Sequence, residues 1–488
     1  MRTNPHVLEI NARAWIEEIK RETGQYTTLA EVPEHFFADL KELGFDAIWL
    51  MGVWLESPAS RDIARNEPDI NALLQKAAPG YSKDDIIGSQ YSIYGYQVNP
   101  VFGGDEALLK FKKRLNDYGI SLFLDFAGNH FAKDHPLTLT EPDLFIHSKK
   151  EPADKNLFFQ TKNGDWLAHG RDPHYPPWTD TVQLNLFNPK TRALLMEKLL
   201  KLTDMCDGLR CDMVMLMLNK IFKGTWGQYV PEEMPHDEFW PGAIRQVKAK
   251  SPGFSFLAEV YWGLEWEVQE SGFDYTYDKT LYDRLLMSTP QDIAGHLHAE
   301  HLYQKRSIRF ISNHDEQAPI TAFGRAKSKA AAVAAATITG MRLFTMQQLR
   351  GDTVRLPIQY LPKNMTFDKD IFAFYKRLLA IINHPCFHGG QWVVKHPRPV
   401  DEKDMSANNI LAWEWTQFTT CKIVLVNYSD KPARCYLSIG KVPAEETLLI
   451  TEEFTNQSWR APTATVKTKG LKLDFAPYEC KILSSDFC

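Results

Sequence analysis

The chain has 488 residues, 44% hydrophobic and 24% charged, which are ordinary globular values and exclude a disordered or fibrous protein. A chain of this length buries about three quarters of its surface on folding, so it needs neither disulfides nor metals to stay folded. Its 61 acidic and 56 basic residues leave a formal net charge of -5 with both signs scattered, which argues against a nucleic-acid partner and for a neutral or weakly charged ligand.

From the N-terminus, Met1–Pro5 runs straight into a strand-like Val7–Ile10, so no secretory signal is expected. Phe36, Phe37, Leu40 and Leu43 then recur on one helical face. Gly44 ends that helix, and Ala47–Met51 follows as a buried strand. The unit repeats with Leu108, Leu109, Phe111 and Leu115, a stop at Gly119, and a strand over Ile120–Phe126. Residues 131–185 break the alternation. They are rich in Pro, Asp, His, Asn and aromatics, and too long for a structureless loop, so a small subdomain is expected, overhanging the mouth of the barrel predicted below.

Pro189 starts a third helix carrying Leu194, Leu195, Leu199 and Leu200, and it leads into the strand Gly208–Asp212. Further strands are predicted over Phe254–Val260, Phe273–Tyr277, Ile308–Ser312 and Met341–Met346. The longest uncharged apolar stretch, between Lys329 and Arg342, is too short to span a bilayer and reads as a buried helix, so no membrane association is expected.

Eight strands, most followed by a helix, predict an α/β fold, a closed (β/α)8 barrel. A doubly wound open sheet is the alternative, but no Gly-rich phosphate loop follows any strand. From about residue 385 the period switches towards two, in Asn409–Trp415, Lys422–Asn427, Cys435–Ile439 and Leu471–Phe475, which predicts an antiparallel β-sandwich tail. The expected domains are therefore a barrel over 1–130 and 186–384, an insertion over 131–185 and a sandwich over 385–488. The seven cysteines (206, 211, 386, 421, 435, 480 and 488) show no metal-ligand spacing and read as reduced thiols of a cytoplasmic protein.

Polar residues close otherwise apolar strands. Asp125 ends the third, Arg210 and Asp212 the fourth, Glu259 the fifth, and Asn313-His314-Asp315 the seventh. In a barrel these converge on the mouth at the carboxyl ends of the strands. Paired carboxylates there suit cleavage of a glycosidic bond, which needs one ionised carboxylate and one carboxylic acid. Arg210, two positions before Asp212, shares its strand face and would keep it ionised and nucleophilic. Glu259, beside Val260, Tyr261 and Trp262, would have its pKa raised and serve as proton donor.

These four segments, in this order and on these strands, resemble the sequence regions of the α-amylase superfamily, glycoside hydrolase family 13, and the resemblance covers essentially the whole chain. Gln90–Tyr96 with Phe102-Gly103 resembles the segment before its second helix, and Trp178–Pro189 the return from the overhanging domain. The resemblance implies Asp212 as nucleophile, Glu259 as acid and base, and Asp315 as a residue gripping sugar hydroxyls. It further implies His130 and His314 as hydrogen-bonding the same sugar, Tyr91 as stacking on it, Arg210 as orienting Asp212, and Asp125 as mainly supporting.

The implied substrate is a small α-glucoside or oligosaccharide, since Met215 and Leu216 stand where many starch-acting members carry a Lys-His pair. No cofactor is implied. Asn129 matches one ligand of a structural calcium in calcium-binding members, while the histidine position that supplies another is changed. Gln347 and Leu349 replace a Gly and a Glu common in the strand-eight segment, marking an outlying subfamily. A glucosyltransferase using the same intermediate is the alternative, and a non-catalytic sugar-binding homologue a further one. Oligomeric state is not legible. The Arg210–Asp212 pair could also be a structural ion pair, and His130 and His314 core histidines. Methionines 213, 215 and 217 read as core packing. Trp166, His169, His174, Tyr175 and Trp178 could line a sugar site or form the core of the insertion.

Overall fold

A computed structural model describes residues 1–25, 27–363, 366–439 and 445–485. Its centre is a closed barrel of eight parallel strands: β1 (His6–Asn11), β2 (Ala47–Met51), β3 (Ser121–Ala127), β4 (Gly208–Asp212), β5 (Ser255–Ala258), β6 (Tyr275–Tyr277), β7 (Ser307–Arg309) and β8 (Met341–Thr345). The ladder closes because β1 pairs with both β2 and β8, placing Val7 beside Ala47 and beside Leu343. Parallel strands covered on both faces read as unbroken apolar runs, and Ala47–Met51 is buried at every position. Strands β5 and β7 are shorter than predicted, because residues just beyond Ala258 and Arg309 leave the ladder to build the mouth, and β6 starts only at Tyr275.

Helices wrap the barrel as the periodicity predicts. Glu34–Leu43 ends at Gly44, whose φ of 81° is the left-handed conformation that favours glycine at a helix end. The apolar stretch after Lys329 lies in the helix Arg325–Thr337, buried from Ala330 to Thr337. Among the described residues no helix is long and apolar enough to cross a membrane.

Two excursions overhang the mouth. After β3, a two-stranded pair (His130–Ala132 with Thr181–Gln183) and a three-stranded sheet (His147–Ser148, Trp166–Ala168, Phe158–Gln160) lie between β3 and β4. After β2 come two helices absent from the sequence reading, Pro58–Asn66 and Pro68–Ala77, each with proline in its first turn. They share a small apolar cluster of Ala64, Leu74, Ile86 and Tyr360 with the loop after β8.

The C-terminal strands form a six-stranded antiparallel sheet and a separate two-stranded one, Ala433–Leu437 with Leu471–Phe475. One face of the larger sheet, with Ala412, Ile423 and Leu425, packs against the pair through Cys435, Leu437 and Leu473. The other face carries Trp413 and Trp415 into the barrel core. Their indole nitrogens donate to the Thr337 hydroxyl (3.2 Å) and the Thr337 carbonyl (2.6 Å). Cys206, Cys211, Cys386, Cys435 and Cys480 are free thiols, but Cys421 is disulfide-bonded, which corrects the expectation that all are reduced. Cys488 lies outside the described residues.

Candidate active site

The polar strand ends meet at one mouth. Arg210 sits opposite Asp125 in the β3–β4 ladder, and Asp212 lies two residues on, on the same face. The Arg210 guanidinium is 1% exposed. It lies 2.8 Å from Asp212, 2.8 Å from Glu259 and 3.8 Å from Asp125. Three aromatic rings surround it, with centroids 5.1 Å (Trp49), 5.1 Å (Tyr91) and 5.7 Å (Tyr277) away. Burial alone would disfavour its charge, but Glu259 and Asp212 hold it protonated.

One cation thus serves two acids, where the sequence reading gave it to Asp212 alone. Its pairing does not depress the Asp212 pKa as expected. Burial raises it, with Asp125 and Asp315 adding to the rise and Arg210 opposing. Burial also pushes Glu259 up to about 7, against Arg210. That agrees with the expected direction for a proton donor. Glu259 is further held by the Tyr261 hydroxyl (2.8 Å) and the Met213 backbone N–H (2.8 Å). Met213 adopts φ 43°, a left-handed conformation rare for a side-chain-bearing residue, at the turn immediately after Asp212.

Asp125, 2% exposed, accepts from the Trp49 indole (3.0 Å), the Gly52 N–H (3.2 Å) and the Tyr91 hydroxyl (3.2 Å). Burial lifts it to about 6. It and Arg210 lie beneath the floor. Asp212, Glu259, Asp315, Tyr91, His130 and His314 line the cleft above, about 1110 Å³ in volume.

His314 faces two carboxylates. Its Nδ1 lies 2.8 Å from Glu9 and its Nε2 3.1 Å from Asp315. Burial would lower its pKa, yet Asp315 and Glu9 carry it to about 10, so the ring is an imidazolium. Asp315 is half exposed to the cleft. Burial would raise it, but His314 outweighs burial and holds it well below the usual carboxylate range. The two histidines therefore differ, because burial pushes His130 down to about 4 and leaves it neutral.

Tyr91 stacks on the His314 ring at 5.2 Å. Sequence reasoning missed Glu9. Its signal was a lone acid inside the otherwise apolar Val7–Ile10 run. It also missed Trp49 and Met213, which read as core, and took Tyr261 only as an apolar neighbour of Glu259, not as the hydroxyl that donates to it.

The aromatics of the insertion divide. Tyr175 and Trp178 line the cleft and His174 meets Trp262 edge to face at 5.1 Å, while His169 is buried and Trp166 packs on the core. Met213 also lines the cleft, whereas Met215 and Met217 are buried in the core.

A calcium ion does not fit at Asn129. The side-chain and backbone oxygens of Asn129 both accept from Gln183 Nε2 (3.0 and 2.9 Å), so amide hydrogens point where a cation would sit. Among the described residues no group of three or more His, Cys, Asp or Glu is arranged to hold a metal ion.

The model of the alpha-amylase catalytic domain matches residues 37–349. Alpha-amylase MalA of Haloarcula japonica is 22% identical over 387 residues, which are 76% of this chain and 52% of that protein. A 1,4-alpha-glucan branching enzyme of Clostridium perfringens is 21% identical over 62% of this chain and 39% of its own length. The chain thus spans about half or less of these curated relatives. The crystal structure of a noncanonic maltogenic alpha-amylase, AmyB of Thermotoga neapolitana, superposes with a TM-score of 0.69 at 18% identity, covering 99% of this chain and 98% of that one. Barrel, strand-end acids and family match agree: the chain belongs to the α-amylase superfamily.

Proposed function

We propose that the protein acts on α-glucosidic bonds with retention of configuration, using Asp212 as nucleophile and Glu259 as acid and base. The observation that carries this reading is the Arg210 guanidinium held 2.8 Å from both carboxylates, with Glu259 poised at about 7 above it. Glu259 gives its proton to the glycosidic oxygen as the Asp212 carboxylate attacks C1 from the opposite face. The C1–O bond breaks, the aglycone leaves as an alcohol, and a β-glucosyl ester forms. Glu259, now ionised, takes a proton from water as the water oxygen attacks C1. The ester bond breaks, Asp212 recovers its carboxylate, and the product is again α.

Asp315 accepts hydrogen bonds from sugar hydroxyls, neutral His130 donates to the same ring, and cationic His314, whose two N–H groups face Glu9 and Asp315, holds the Asp315 carboxylate charged and in place. The opposite protonation states of the two histidines suit one donor that can also accept and one that carries charge. At about 1110 Å³ the cleft slightly exceeds the ~300–1,000 Å³ typical of small-molecule sites, enough for a short oligosaccharide. Met215 and Leu216 are buried and offer nothing polar on the leaving-group side, which supports a small substrate over a starch chain.

Transfer to a second sugar is the other reading. It draws on Tyr175 (68% exposed) and Trp262 (39% exposed), apolar rings lining the cleft where an acceptor would stack. The five free cysteines among the described residues favour a reducing, cytoplasmic setting, which the disulfide at Cys421 does not share.

Proton NMR of the protein with a panel of α-glucosides tests the reading. α-Glucose should appear first and mutarotate later, and Asp212→Asn should abolish it. Transfer products on adding an acceptor sugar would favour the second reading, and β-glucose appearing first would refute both.

A further inference from the structure

The helices absent from the sequence reading, Pro58–Asn66 and Pro68–Ala77, are fixed on two flanks. On one flank they join the loop after β8. Ile87 N–H donates to the Gln359 carbonyl and Leu361 N–H to the Asp85 carbonyl, both at 2.8 Å, and Ile86 bridges Tyr360. Beneath these bonds lies the cluster of Ala64, Leu74, Ile86 and Tyr360. On the other flank the first helix is tied to the insertion after β3. The Ser57 hydroxyl (2.5 Å) and Ala59 N–H (3.0 Å) donate to Asp134, and the Ser60 hydroxyl donates to Asp180 (2.6 Å). A continuous wall therefore runs over the mouth from β8 past β1 and β2 to β3. Ile63, Glu67, Ile70 and Gln359 present it to the cleft.

The barrel order fixes what this wall faces. In the closed ring β1-β2-β3-β4-β5-β6-β7-β8, β5 stands across from β1. Glu259 follows β5 and protonates the departing oxygen, so the aglycone lies on the β5 side, beside Tyr261 and Trp262. The sugar attacked at C1 extends the other way, into the wall. Two backbone hydrogen bonds and an apolar core do not part to let a polymer thread through.

We infer that the wall formed by residues 58–87 and 355–362 closes the cleft behind the first sugar, so that the enzyme takes only the non-reducing end of its substrate. This rests on the proposed roles of Asp212 and Glu259. Ile63 and Gln359 are the specificity-determining side chains, one from each half of the wall.

The test compares 4-nitrophenyl α-maltoheptaoside with the same compound carrying a 4,6-O-ethylidene bridge on its terminal glucose, with products separated by chromatography. The free compound should lose sugars from its non-reducing end. The blocked one should react more than about 100-fold slower, as expected for a substrate denied its seat. Calorimetry with Glu259→Gln should show the same preference in binding, without turnover.

Ile63→Ala/Gln359→Ala keeps the backbone clasp and should raise cleavage of the blocked compound at least about tenfold relative to the free one. Internal cleavage of both compounds, yielding a ladder of fragments, would overturn the inference and leave the catalytic assignment standing. An unchanged preference in the double variant would also overturn it. Silence towards both compounds together with no binding would overturn the catalytic reading and this inference with it.

Discussion

Replacing Glu9 by glutamine removes one of the two carboxylates that hold His314 protonated while preserving an acceptor for its Nδ1–H. Glu9 is 3% exposed on β1, and its Oε1 accepts from both the His314 ring (2.8 Å) and its backbone N–H (3.2 Å). His314 stands at about 10 against an ordinary 6.5. That lift of about 3.5 units corresponds to about 5 kcal/mol in favour of the charged ring. Asp315 is the larger contributor and Glu9 the next, so losing Glu9 should lower His314 from about 10.

Ring ¹⁵N shifts followed from pH 6 to 10 report this directly, with the His314 signal identified by its loss in His314→Asn. Wild type should remain largely an imidazolium through pH 9, and Glu9→Gln should lose its proton at clearly lower pH than wild type. In the variant, kcat/KM should fall through the same range, because a neutral His314 no longer supplies the positive charge that pairs with the Asp315 carboxylate in the cleft. A wild-type His314 titrating near its ordinary value, or a variant still fully protonated at pH 9, would refute the reasoning.

Three further outcomes follow from contacts elsewhere in the protein. The rate of glycosyl-enzyme formation should decline above pH 7 with the ionisation of Glu259. Tyr261→Phe, which removes a donor that favours the carboxylate, should move that decline to higher pH, and a shift to lower pH would contradict it. Trp415→Ala should cost about 3–5 kcal/mol in denaturant unfolding, since it removes a fully buried indole and its bond to Thr337, and a loss under about 1 kcal/mol would show that the face is not packed as described.

Acid should weaken the fold through His388. Burial, helped by Arg342 and Arg2, holds His388 at about 4, below the ordinary 6.5, so the unfolded chain takes up the proton first. Its contribution is full above about 6.5, falls between 6.5 and 4, and changes no further below. The same pH slope in His388→Gln would assign the loss elsewhere.

The barrel was legible because each of its strands is buried on both faces and so reads as an apolar run. Against that run Asp125, Arg210, Asp212 and Glu259 stand out at the ends. What the sequence concealed are relations between distant positions. The two-residue spacing of Arg210 and Asp212 revealed their shared face, but not that Glu259, 49 residues on from Arg210, meets the same guanidinium. Glu9 and His314 are 305 positions apart, and only closure of the barrel joins them. The helix pair over 58–77 was hidden because its cluster is completed by Tyr360 from the far end of the barrel. The insertion's aromatics were undecidable by composition, since rings that line a cleft and rings that fill a small core are the same residue types.

The assignment of Asp212 and Glu259 to separate roles is tested most directly by azide rescue. Asp212→Ala and Glu259→Ala are each incubated with α-glucosyl fluoride and sodium azide, and the anomer of the glucosyl azide is read by NMR. Glu259→Ala still forms the ester, because fluoride leaves without a proton donor, so azide should open it to give α-glucosyl azide. Asp212→Ala forms no ester, so azide should attack the fluoride directly and give the β product. The same anomer from both variants, or the two anomers exchanged, would contradict the account.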